Sequence, residues 1–203
     1  MAAEGVKTVD VAALTERVLR KYPAASLSTK ASGFDFASGD LPADAKKWDR
    51  FRTRGFMTLD ELIDLSRWKT GGRQDRNIER NSDVAVRAIT GAATSVASQV
   101  PEEPALPIGI LSSLSGVDLP TASTVMTVWS PERFGILDIR AWNVLRAVAP
   151  AAFSSVQSPA GNRRLFRLAE ADLYLRLIRE IAQRASMSCR AVDQALWVLG
   201  EKK

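Results

Sequence analysis

The chain contains no histidine and a single cysteine, Cys189, so acid–base work falls to carboxylates and amines. The same scarcity closes Ser-His and Cys-His nucleophiles, an intrachain disulfide framework, the usual zinc ligand sets and a four-cysteine iron–sulfur cluster. Among the carboxylates Asp138 stands out. It lies between Ile136, Leu137 and Ile139 in a segment otherwise suited to burial, and a carboxylate taken out of water has to be paired, hydrogen-bonded or put to use. Two uses are open and compatible. Asp138 is the N-cap of a helix running through Ile139, Trp142, Leu145 and Val148, or it is a reacting group placed at that helix start.

The elements that would position it begin upstream. Leu111, Leu114 and Val117 lead into Gly116 to Leu119, where Gly and Asp allow a tight turn. Thr121, Ala122, Val125, Met126 and Trp129 then recur at helical spacing, and Pro131 ends that helix. The rest of the chain reads as further helices. Val9 to Lys21 carries Val11, Leu14, Val18 and Leu19 and stops before Pro23. Tyr22 to Pro42 reads as a loop punctuated by Gly33, Gly39 and Pro42, with Phe34 and Phe36 anchoring it to the core or lining a cleft. Ala43 to Arg52 forms a short helix. In Thr58 to Lys69, Thr58 and Glu61 make a capping box over an inner face of Leu59, Leu62, Ile63 and Leu65. Gly71 and Gly72 close that helix, and Gln74 to Gln99 gives one or two more, with Gly91 as a bend or break. Pro101, Pro104 and Pro107 read as an extended connector. Asn162 to Ala185 is long and amphipathic, and Ser188 caps a last helix to Leu199. No alternating strand pattern or internal repeat emerges, so the expected class is all-α.

At 203 residues with 46% hydrophobic content, the chain is long enough for one substantial core or two small helical subdomains. Its formal net charge of +5 favours polyanionic partners. Basic residues gather at Lys46 to Arg54, from Arg67 through Lys69, Arg73, Arg76 and Arg80 to Arg87, and from Arg163 to Arg190. Together they would neutralise several phosphates in a salt-sensitive way, whereas each alone reads as part of a solvated helix face. No apolar run is long enough to cross a bilayer, and the first ten residues lack a signal-peptide core. The expectation is a cytoplasmic protein without a membrane partner, nucleoid-associated if bacterial.

Helix, Gly-centred hairpin, helix, short loop and Asp-opened helix, carried by Leu111, Leu114, Gly116, Val117, Thr121, Ala122, Pro131 and Asp138, resemble the signature of the helix-hairpin-helix DNA glycosylase superfamily, which includes endonuclease III and the adenine and alkylpurine glycosylases. The resemblance implies two helical subdomains around a central cleft, residues 1–53 with 150–203 in one and 54–149 in the other, the motif spanning about 107–129. It implies a monomer acting on double-stranded DNA, with Gly116, Val117, Asp118, Thr121 and Arg140 at the backbone. Several branches carry a four-cysteine cluster that this chain lacks. Asp118 replaces the second hairpin glycine. Its charge would hold a phosphate further off, or a monovalent cation at the hairpin would offset it.

The resemblance makes Asp138 the catalytic residue, orienting or deprotonating water and stabilising the positive charge that builds on the deoxyribose as the base leaves. Where strand-cleaving members carry a lysine, this chain has Pro120, so a monofunctional glycosylase is expected, with Lys69 the alternative, displaced nucleophile. Base extrusion calls for stacking side chains, for which Trp142 and Trp68 are candidates. Two other classes fit the same residues: a non-catalytic helix-hairpin-helix DNA-binding module, and a helical interaction protein whose basic surface meets RNA or an acidic partner.

Overall fold

The computed structural model describes residues 9–32, 45–153 and 166–200. Among these residues the regular structure is all helical, with no strand, as expected. In chain order the helices are α1 (Val11–Lys21), α2 (Ala24–Ser32), α3 (Ala45–Arg54), α4 (Leu59–Thr70), α5 (Asp75–Ile78), α6 (Asp83–Gln99), α7 (Ala105–Leu111), α8 (Leu119–Trp129), α9 (Ile139–Val148), α10 (Leu168–Ala185) and α11 (Cys189–Leu199). Six of them open on a Ser, Thr or Asp side chain that accepts a backbone N–H of the first turn: Asp10, Thr58, Ser82, Asp118, Asp138 and Ser188. Those caps fix helix starts because the first N–H groups have no partner within the helix. The Thr58–Glu61 capping box forms in both directions, and Gly71 ends α4 in the left-handed conformation, at φ 66°.

Three sequence expectations are corrected. Part of the loop expected from Tyr22 is helix α2: Leu27 is fully buried, and α2 packs extensively on α11, so tertiary burial overrides the loop-like composition. Gly91 does not break α6, which runs on to Gln99; the break falls earlier, between α5 and α6. The prolines do not form one extended connector. Residues 101–104 turn, and Pro107 occupies the first turn of α7, where a missing N–H costs no helical hydrogen bond. Phe34, Phe36 and Ala43, and residues 162–165 at the start of the expected long helix, lie outside the described residues.

Helix contacts fall into two sets. In one, α11 packs on α2, α9 and α10, while α1 packs on α10 and α9; in the other, α8 packs on α3, α4 and α7, and α6 on α7 and α4. Contact of α7 with α10 links them, and both sets bury side chains in one contiguous core. By contact, α3 joins the set expected for residues 54–149, and α9 joins the set of the two chain ends. Asp138, at the start of α9, therefore sits where the chain passes from one set to the other.

Candidate active site

The approach to Asp138 is an extended segment pinned from several sides. The Arg190 N–H donates to Pro131 O at 3.0 Å and Arg179 Nε to Arg133 O at 2.8 Å. Ile136 is held twice: its N–H donates to Asp193 Oδ2 at 2.5 Å, and its carbonyl accepts from the Tyr174 hydroxyl at 3.0 Å. The Leu137 N–H donates to Ser123 Oγ at 2.9 Å. Gly135 is closely enclosed, since a Cβ there would lie 3.1 Å from Asp193 and from the Cys189 carbonyl. The backbone polar groups of a buried connector need such partners, and here the partners come from α8, α10 and α11.

At the end of this segment Asp138 caps α9, its Oδ1 accepting the Arg140 N–H at 2.8 Å. Its other oxygen, Oδ2, faces Lys69 Nζ from the last turn of α4 at 3.5 Å. The two side chains are 23% and 18% exposed, so the pair is reachable from solvent yet less screened than a surface ion pair. Around them Trp68, Ile136, Arg190, Asp193 and Trp197 close a cavity of about 30 Å³. That is space for a water or two and too little for a nucleobase.

A second carboxylate lines the same cavity. Asp193 is fully buried, its Oδ1 accepting from Arg190 Nη1 at 2.6 Å. Burial pushes its carboxyl up to about 6, against the pull of the Arg190 guanidinium, the Ile136 N–H and the Lys69 ammonium. The Tyr174 hydroxyl is likewise driven well above its ordinary value, first by burial and then by the nearby Asp193 and Asp138 charges. Two positive and two negative side chains thus converge on a space sized for water, with Asp138 and Lys69 the more exposed of them.

No family model, curated protein or solved structure matches the chain.

The structure brings together Asp138, Lys69 and Trp68, three residues singled out from the sequence. Trp142 lies elsewhere: it is 1% exposed, edge-on to Phe153 and Phe166 with ring centroids 4.9 and 5.5 Å away, a core residue and not a pocket wall. Trp197 lines the cavity instead, with the Arg140 guanidinium 4.2 Å from its ring centroid. Sequence reasoning missed Arg190, Asp193 and Trp197 because α11 reads as a packing helix. One signal was present. Cys189, Val192, Asp193 and Leu196 fall at the i, i+3, i+4, i+7 spacing of an apolar stripe, which puts a carboxylate where burial is required.

A Gly-containing turn stands where the hairpin was expected, and its surroundings differ from the expectation. Residues 112–118 join α7 to α8, with Gly116 at φ 78°. A Cβ on Gly116 would lie 2.9 Å from Asn77 and from Ile78, backbone nitrogen included, so its lack of a side chain serves packing against α5. Val117 and Thr121 are buried, and their N–H groups already donate to Leu114 O and Asp118 Oδ1. In this structure those two N–H groups are engaged within the chain. Asp118 is exposed. Many of the basic residues read as phosphate partners hold carboxylates of the same chain, among them Lys47 with Asp64, Arg54 with Glu61, Arg67 with Asp75 and Arg176 with Asp172.

Proposed function

We propose that the protein is a helix-hairpin-helix-type DNA glycosylase that hydrolyses the N-glycosidic bond of a damaged, mismatched or modified base, with Asp138 the catalytic carboxylate. The observation that carries this reading is the meeting of Asp138 and Lys69, from helices α9 and α4, at a water-sized polar cavity at the junction of the two helix sets. A carboxylate ionised beside an ammonium is suited to orient and deprotonate a water molecule and to stabilise an oxocarbenium ion as the base departs. Bond-making at C1′ then comes from the water oxygen, the glycosidic electron pair leaves with the base, and Asp138 holds the water proton. The cavity suits the attacking water; the extruded base has to sit outside it. The segment 131–137, held by α8, α10 and α11, supports the reading by giving Asp138 the fixed position such chemistry needs.

The 3.5 Å approach of Lys69 to Asp138 favours a second mechanism on the same substrate. The Lys69 amine attacks C1′, the base leaves with the glycosidic electrons, and ring opening gives a Schiff base that water later hydrolyses, Asp138 relaying the proton.

Base release from a panel of duplexes carrying oxidised, deaminated, alkylated and mismatched bases tests both. Release by the wild type that falls by about 10²-fold or more in Asp138→Asn and leaves no borohydride-trapped adduct is the expected result. A trapped adduct lost in Lys69→Ala assigns the amine mechanism. No release from any duplex, with duplex binding intact, would leave a non-catalytic DNA-binding module and overturn the glycosylase reading.

A further inference from the structure

From the last turn of α4 into α6 the chain carries five arginines in two states. Arg67 and Arg87, at the two ends, hold Asp75 at 2.7 Å and Asp83 at 2.5 Å. Arg73, Arg76 and Arg80 between them are exposed and have no ion pair among the described residues. Asp75 meets Arg67 through Oδ2, and Glu79 is the other acidic residue between Gly71 and Asn81. The positive charge there is not spent within the chain.

That segment is fastened to the hairpin. The Asn81 amide donates to Ser115 O at 3.0 Å, and the Ser115 N–H donates to Asn81 Oδ1 at 2.9 Å. Ile78 is fully buried, and Gly116 approaches Asn77 and Ile78 so closely that any side chain would collide with their atoms. The same segment continues directly from the last turn of α4, which supplies Trp68 and Lys69 to the cavity. Residues 71–81 therefore connect the hairpin to the candidate active site as one supported surface. The hairpin residues expected at DNA offer Asp118, a negative charge, and N–H groups of Val117 and Thr121 that are already engaged.

We propose that Arg73, Arg76 and Arg80 form the surface that docks the phosphate backbone of duplex DNA, alongside the hairpin and leading to Asp138 and Lys69. The inference rests on the DNA reading above and names the contact surface that reading leaves open. Guanidinium groups suit the task, since their planar donor forks match phosphate oxygens and stay charged at any working pH. Duplex DNA supplies the dense row of negative charge that three neighbouring unpaired arginines complement.

The test is binding of the full-length protein to a fluorescein-labelled undamaged duplex, followed by anisotropy over a series of salt concentrations. Each phosphate contact contributes about 0.9 to the slope of log K against log salt. The triple variant Arg73→Gln, Arg76→Gln, Arg80→Gln should lose about 2 to 3 from that slope and bind at least about tenfold more weakly at low salt. A control variant, Arg17→Gln, Arg20→Gln, Lys21→Gln, removes the same formal charge from α1 and should lose far less. Equal losses in both variants, or an unchanged slope in the first, overturn the assignment while leaving DNA binding itself intact. A wild type that fails to bind duplex at any salt concentration overturns the DNA reading as a whole. Thermal unfolding of both variants should match the wild type closely, because exposed substitutions away from special features cost little.

Discussion

Asp118 and Asp138 begin two helices in nearly the same way. Each is extended, each is an N-cap, and each has one carboxylate oxygen accepting a first-turn N–H, at 2.9 and 2.8 Å. What separates them is what the second oxygen meets. Asp118 is exposed on the far side of a turn braced by α5, whereas Asp138 Oδ2 faces Lys69 over a cavity shared with Asp193 and Arg190. One residue type in one local conformation yields a helix cap in one place and a candidate reacting group in the other. The difference lies in tertiary contacts from residues distant in sequence.

The approach to each aspartate is secured differently, and the largest expected effect tests the approach to Asp138. Asp193→Ala takes the acceptor from the Ile136 N–H and from Arg190 Nη1, both in buried hydrogen bonds. Breaking a buried pair from one side costs about 3 to 5 kcal/mol. Denaturant unfolding at neutral pH should show a loss of that order; a loss below about 1 kcal/mol would mean that the segment does not depend on Asp193. The pH dependence has a defined sign. Because burial raises Asp193 to about 6, above its value near 3.9 in an unfolded chain, the folded state binds the proton more tightly. The part of its contribution that depends on protonation is greatest below about pH 4 and is lost as pH rises through about 6, leaving at neutral pH the hydrogen bonds that the Ala variant removes. The Ala variant should lack that component of the wild-type pH profile.

A smaller effect is expected on the other side of the comparison. Gly116→Ala would put a Cβ 2.9 Å from the Ile78 backbone nitrogen at a φ of 78°. Steric overlap with backbone and a left-handed alanine together cost about 1 to 3 kcal/mol. The loss should appear in thermal unfolding. A neutral outcome would mean that the turn shifts freely away from α5, and the bracing of the hairpin by residues 77–81 would no longer distinguish it from the Asp138 segment.

These contrasts also mark what the sequence made legible. Helix starts were readable because caps are local: Thr58 with Glu61, Asp138 and Ser188 each announce a helix within a few residues. Helix α2 was not, because what makes residues 24–32 helical is the burial of Leu27 and packing on α11, a partner far along the chain. The site was half readable. Asp138, Lys69 and Trp68 carried signals of their own type and setting, but nothing local says that the end of α4 meets the start of α9. Trp142 and Trp197 show the same limit. Both are tryptophans on helices, and only packing assigns one to the core and the other to the cavity.

The smallest stability effect gives the sharpest form of the comparison. Asparagine caps helices about as well as aspartate, so Asp118→Asn and Asp138→Asn should each change stability by only a few tenths of a kcal/mol through the cap. Asp138→Asn adds the loss of the Lys69 pair, which at this exposure is worth about 1 kcal/mol at most. Thermal unfolding should therefore leave the two variants close together. Base release from the duplex panel should separate them, with Asp118→Asn retaining the wild-type rate and Asp138→Asn losing it. Equal loss of release in both would place Asp118 in the chemistry as well and remove the distinction between the two helix starts. Equal retention would reduce Asp138 to what Asp118 is, a carboxylate that begins a helix, with the ammonium of Lys69 beside it for charge balance alone.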